Sequence, residues 1–138
     1  MTAGLMGCDQ PLAEVYDCAL VDLDGVTYVG HEPIPWASYS LVAARTRGMR
    51  VVFVTNNASR TPAVVAEQLT GLGIPSRPED VVTASHSAAS LLATRLAPGA
   101  RVLVVGTDAL REAVREKGFV VVDSADDDPA AVAQGFGP

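Results

Sequence analysis

Two aspartates, Asp22 and Asp24, sit two residues apart in Asp22-Leu23-Asp24-Gly25, directly after the apolar run Ala19-Leu20-Val21. On an extended backbone, side chains two apart share a face, so both carboxylates converge at the end of a buried strand. Ligands of open α/β sheets sit in the crevice at that end. Two ionised carboxylates this close repel, so either one pKa rises or both share a cation. Mg²⁺ suits oxygen donors of this kind and keeps waters and a substrate phosphate in its shell. One carboxylate can then attack phosphorus and form an aspartyl-phosphate. The second can protonate the leaving oxygen and later take a proton from the attacking water. Gly25 lets the chain turn sharply without steric cost. The plain alternatives are an acidic surface turn or a piece of a calcium loop. An EF-hand loop needs further ligands and a closing Glu, which are absent.

Thr55-Asn56-Asn57 forms a second polar turn, after the run Val51-Val52-Phe53-Val54. A hydroxyl and the exposed N–H groups of such a turn can bind phosphate oxygens. Donors there would meet the charge that develops in a phosphoryl-transfer transition state. The alternative is ordinary strand-to-helix turn chemistry, in which Asn and Thr are common. His31 and His86 stand alone and are read as surface or capping residues. Gly106-Thr107-Asp108 lacks the full dinucleotide fingerprint and is read as a turn.

Strands must deliver both turns to one place. Ala19 to Val21, Val51 to Val54, Val81 to Val82, Arg101 to Val105 and Phe119 to Val122 are expected strands. Helices are expected from Tyr39 to Arg47 with Ser38 as cap and Gly48 as stop, and from Pro62 onward after Thr61. Two more are expected, from His86 to about Leu96 with Ser85 as cap, and from Ala109 to Lys117. Val26 to Gly30 reads as one arm of a short hairpin, with Trp36 packed at its base. A last strand is entered near Val132 to Phe136. The alternation predicts a parallel α/β layout, and a right-handed crossover makes the two chemical turns neighbours on one sheet edge.

Composition narrows the function classes. The 138 residues carry a net charge of -6, and the ten Lys and Arg are scattered. A nucleic-acid backbone needs clustered positive charge, so that partner is excluded. An acidic chain binds a phosphorylated molecule only through a metal ion or local N–H donors. No apolar run reaches the length that spans a bilayer. Met1 to Gln10 has no signal-peptide pattern and reads as a frayed tail. Cys8 and Cys18 have no metal-ligand spacing and suit a reducing cytoplasm. The Asp126-Asp127-Asp128 run reads as a solvated loop.

Taken together, Asp22-Leu23-Asp24-Gly25-Val26-Thr27-Tyr28, Pro33-Ile34-Pro35 and Val54-Thr55-Asn56-Asn57-Ala58-Ser59-Arg60-Thr61 resemble the haloacid-dehalogenase superfamily. The resemblance is to its p-nitrophenyl-phosphatase-like and glycerol- or glycolate-phosphate phosphatase branch, and it continues through Val81 to Ser85 and Arg101 to Gly106. It implies a Rossmann-like α/β core, present as its N-terminal half over residues 1–84, and the beginning of an inserted α/β cap over 85–138. It implies Asp22 as nucleophile, Asp24 as acid/base, and Mg²⁺ held by the Asp22 side chain and the Asp24 carbonyl. Thr55 and Asn56 would bind the phosphoryl group, and Val26 to Gly30 would be a flap. The substrate would be a small phosphorylated metabolite, hydrolysed in the cytoplasm, with a homodimer through the cap in the full-length protein. The family also uses a lysine and a later acidic pair, and Lys117 is a poor stand-in for that lysine. The chain is therefore expected to be a fragment, inactive or weakly active alone. The competing readings are a non-catalytic remnant and a phospho-accepting receiver. A receiver places its acceptor Asp on a later strand, whereas the later strands here end in Thr55 and Gly106.

Overall fold

A computed structural model describes residues 8–135. The expected tail from Met1 lies mostly outside these residues, as does Phe136. The first sheet contains three parallel strands in the order β1-β4-β5: β1 Cys18–Val21, β4 Arg50–Thr55 and β5 Val81–Thr83. Val21 pairs with Phe53, and Thr55 pairs with Thr83. A two-stranded antiparallel hairpin, β2 Tyr28–Val29 with β3 Glu32–Pro33, leaves the end of β1. Helices α2 Ala37–Thr46 and α3 Pro62–Gly71 make the crossovers to β4 and β5. A four-residue helix, α1 Leu12–Val15, precedes β1, where the sequence pattern predicts no element.

One face of the first sheet is packed. Phe53, Val51 and Val81 meet Leu23, Tyr28, Val65, Leu69 and Ile74 in a continuous apolar cluster. Strand residues alternate between faces, so Leu20, Val54 and Val82 point the other way and are exposed. Arg45 braces the packed side. Its guanidinium lies 5.4 Å from the Phe53 ring centre, donates to the Pro75 carbonyl, and pairs with Asp80 at 3.3 Å.

A second parallel sheet, in the order β7-β6-β8, is formed by β6 Arg101–Val105, β7 Val120–Val122 and β8 Ala131–Gln134. Helices α4 Ala84–Ala93 and α5 Asp108–Glu116 cover one face. Helix α5 buries Ala109, Leu110, Ala113 and Val114, a stripe of helical period. The expected parallel α/β fold is therefore present, arranged as two small sheets.

Several local expectations needed correction. Helix α2 starts at Ala37 after Trp36, which is left-handed (φ 68°) and stands at the cap position, and Ser38 makes no cap. Trp36 is 78% exposed rather than packed at the hairpin base. Thr83, not Ser85, caps α4, accepting from the His86 N–H at 3.3 Å. Thr83 ends a strand with extended dihedrals, which is the geometry a cap requires. Pro33 is the last residue of β3 and pairs with Tyr28. The Asp126-Asp127-Asp128 run is exposed, as expected, but Asp128 pairs with Arg101 at 3.1 Å, and the nearby Asp123 pairs with Arg111 at 2.6 Å.

Phe53 is fully buried at the centre of the first core, whereas Leu20 is 75% exposed on the bare face. Phe53→Ala is expected to lower unfolding free energy by about 3–5 kcal/mol. Leu20→Ser should change it by less than about 0.5 kcal/mol. Urea unfolding of the two variants checks this; equal midpoint shifts would refute the assignment of the packed face.

Candidate active site

The acidic turn is built by backbone geometry. After β1, the Leu23 carbonyl accepts from the Val26, Thr27 and Tyr28 N–H groups at 3.2, 2.8 and 3.3 Å. Gly25 adopts φ +79°, a left-handed conformation that costs glycine little, and its N–H donates to the Tyr28 carbonyl at 2.8 Å. The Thr27 hydroxyl, fully buried, donates to the Asp22 carbonyl at 3.0 Å. Leu23 is driven into the core at 1% exposure, and the flanking Asp22 and Asp24 stay exposed. Asp22 Oδ1 accepts from the Leu23 N–H at 2.8 Å, which holds that carboxylate against the turn.

The hydroxyl turn ends β4. Thr55 is 8% exposed, and its Oγ1 accepts from the Asn57 N–H at 3.1 Å. With that lone pair taken, its own proton remains to be donated elsewhere. Asn57 Oδ1 accepts from the Ser59 N–H and hydroxyl at 2.7 and 2.6 Å, closing an Asx turn.

Asp24, Thr55 and Asn56 line one cleft of about 190 Å³, together with Tyr28, Gly30, Asn57 and Arg60. Asp22 does not line that cleft. It is nevertheless near: the Tyr28 hydroxyl feels the charges of Arg60, Asp24 and Asp22. Burial, the largest effect, raises the Tyr28 pKa; Arg60 opposes this, and the two aspartates add to it. Arg60 Nη1 donates to Gln68 Oε1 at 2.5 Å, so α3 orients the guanidinium. Tyr28 and Arg60 were quoted in the sequence only as parts of a motif. Their place in the cleft follows from the β2 hairpin and the start of α3, which no local pattern reveals.

The remaining chemical residues are elsewhere. His86 contacts Thr83 Oγ1 at 3.1 Å and Glu116 at 3.0 Å, and His31 is exposed. Lys117 ends α5 and is exposed. A larger cleft, about 590 Å³, lies around Arg45, Arg50 and Arg77, at the start of β4 rather than its chemical end. Among the described residues, no group of three or more His, Cys, Asp or Glu is clustered for a metal. The donors available are hard oxygens from two carboxylates and adjacent carbonyls. That set fits a magnesium ion, which needs only one or two protein carboxylates when waters and phosphate complete its shell.

A protein-family profile for haloacid dehalogenase-like hydrolases matches residues 19–120. The chain belongs to this family. It is 49% identical over 125 residues to D-glycerol 3-phosphate phosphatase of Mycobacterium tuberculosis, covering 91% of this chain and 35% of the relative. It is 39% identical over 106 residues to a 5'-nucleotidase of Bacillus subtilis, covering 77% of this chain and 41% of the relative. The crystal structure of the M. tuberculosis glycerol phosphate phosphatase in complex with magnesium superposes with a TM-score of 0.87. That match has 48% identity and covers 92% of this chain and 38% of the other. The chain thus spans well under half the length of these relatives. Among the described residues, no helix is long and apolar enough to cross a membrane.

Because the Tyr28 pKa is raised above the ordinary 10.0, the folded state holds the phenol proton more tightly than the unfolded state. Its contribution to stability is full below the unfolded pKa and is lost as pH rises through the folded one. A phenolate absorbance titration should show one late tyrosine, absent in Tyr28→Phe. Asp24→Asn should move that titration down and Arg60→Gln should move it up. Unmoved titrations in both variants would separate Tyr28 from the acidic turn.

Proposed function

We propose that this chain carries the nucleophile half of a Mg²⁺-dependent phosphomonoesterase acting through an aspartyl-phosphate. The observation that carries the reading is the sharing of one cleft by the acidic turn and the hydroxyl turn, Asp24 beside Thr55 and Asn56. Asp22 attacks phosphorus, and the bond to the leaving oxygen breaks. Asp24 gives that oxygen its proton. Water then attacks the aspartyl-phosphate, Asp24 takes its proton, and phosphate leaves with Asp22 restored. Thr55 donates to the phosphoryl oxygens and Asn56 orients them. Arg60 supplies positive charge to the cleft of an otherwise acidic chain. A bound Mg²⁺, held by Asp22 and Asp24, would neutralise charge on the phosphoryl group.

The substrate is proposed to be a small phosphorylated metabolite, with glycerol phosphate first because of the 49% identity to a glycerol phosphate phosphatase. We assign residues 1–84 to the core domain and 85–138 to the start of a cap. The whole protein is proposed to work in the cytoplasm as a homodimer joined through that cap. The 138 residues by themselves would be inactive or weakly active, since Lys117 does not line the cleft.

In the full-length protein, phosphate release from glycerol phosphate is expected to require Mg²⁺ and to vanish on chelation. Asp22→Asn should reduce it to background. Asp24→Asn should lower kcat by about 10²–10⁴-fold, and Thr55→Val by about 10²–10³-fold. Nucleotides and sugar phosphates serve as competing substrates. Undiminished turnover in Asp22→Asn would remove the nucleophile and the mechanism with it.

A further inference from the structure

The loop from Thr55 to Ser59 is held from outside the first sheet. The Ala58 carbonyl accepts two hydroxyl hydrogen bonds, from Ser85 at 2.9 Å and from Thr107 at 3.0 Å. A carbonyl oxygen has two lone pairs, so both donors are accommodated. Ser85 lies in the first turn of α4 and is 1% exposed. Thr107 stands at the cap position of α5, after β6, yet its side chain makes no cap bond. Neither hydroxyl serves its own helix end, and each is spent instead on the same atom of a distant loop. The junction is also tight. A Cβ on Gly135, just after β8, would lie 3.1 Å from the Leu110 side chain and 3.7 Å from Ala58 Cβ.

The Ala58 carbonyl shares a peptide plane with the Ser59 N–H. That plane is therefore fixed on both sides: two hydroxyls hold its oxygen, and Asn57 Oδ1 holds its N–H at 2.7 Å. The Asn57 N–H in turn occupies Thr55 Oγ1. A continuous chain of hydrogen bonds runs from α4 and α5 to the hydroxyl proposed to bind phosphate.

We propose that Ser85 and Thr107 are positioning residues that set the phosphate-binding geometry of Thr55 through the Ala58 carbonyl. The proposal rests on the reading of the Thr55 turn as the phosphate cradle. It makes the second sheet unit a determinant of phosphate affinity without contact to phosphate.

The test uses Ser85→Ala, Thr107→Val, the double variant, and the conservative Ser85→Thr and Thr107→Ser on the full chain. Affinity for inorganic phosphate with Mg²⁺ is measured by calorimetry, and amide exchange is read at Asn57 and Ser59. Each single removal should weaken phosphate by about two- to tenfold, one ordinary hydrogen bond's worth. The double variant should lose more than the two combined, because only then is the carbonyl left bare. Exchange at Ser59 should quicken, and the conservative variants should restore both readouts. Unchanged phosphate affinity in the double variant, below its melting midpoint, overturns the proposal even if that midpoint falls. Failure of the unmodified protein to bind phosphate overturns the cradle reading, and the positioning role with it. Ser59 exchange, read without phosphate, tells whether the clamp itself exists.

Discussion

Main-chain pairing of β1 with β4 is the constraint on which the candidate site depends. The strands run parallel, and Val21 stands beside Phe53. Both chains must therefore leave the sheet at the same edge, Asp22 one residue after Val21 and Thr55 two after Phe53. Parallel ladders place successive strand ends together and send their crossovers over the faces. A slip of one residue would exchange Phe53 and Val54 between the core and the bare face. Burial of Phe53, Val51 and Leu23 thus holds the register that brings the two polar turns into one cleft.

Electrostatics within that cleft run against the average field of the molecule. The chain carries a net charge of -6, yet the cleft gathers Arg60, the Thr55 hydroxyl and the amides of Asn56 and Asn57. Asp24 in the cleft, and Asp22 just outside it, are the groups an anion would meet unfavourably. In the proposed reading they would also supply hard oxygen donors to a divalent cation, which would make cation and phosphoryl binding mutually dependent. Tyr28 lies where these influences overlap, buried, with Arg60 pulling its proton off and the carboxylates holding it on.

The second sheet contributes more than bulk. Its helices α4 and α5 start against the Ala58 carbonyl, and β8 leads into Gly135 at the same junction. The buried hydroxyl of Ser85 there is satisfied by a main-chain acceptor, as a polar group removed from water must be. Each sheet keeps one uncovered apolar face, seen in Leu20, Val54 and Val82 on the first and in Val105, Val120 and Val132 on the second.

Much of the architecture was legible in local pattern. Strands β4 and β6 are continuous apolar runs, and Thr61-Pro62 marks the start of α3 by cap and first-turn chemistry that acts within four residues. The placement of the candidate residues was legible for the same reason: Asp22 and Asp24 flank the buried Leu23, and Thr55 ends an apolar run. Ser85 misled because Ser and Thr are equivalent as cap residues in sequence. Only the end of β5 decided that Thr83 caps and that Ser85 is free to reach Ala58. Trp36 misled likewise, since aromatic character favours burial but cannot specify a left-handed exposed turn. The sequence by itself determined which polar turns end apolar strands, those of Asp22 and Asp24 and of Thr55, because hydrogen bonding and side-chain alternation are local. Tertiary structure alone decided that Tyr28 and Arg60 join them and that α4 and α5 clamp their loop. Those contacts join segments up to 49 residues apart, and sheet pairing and packing bring them together.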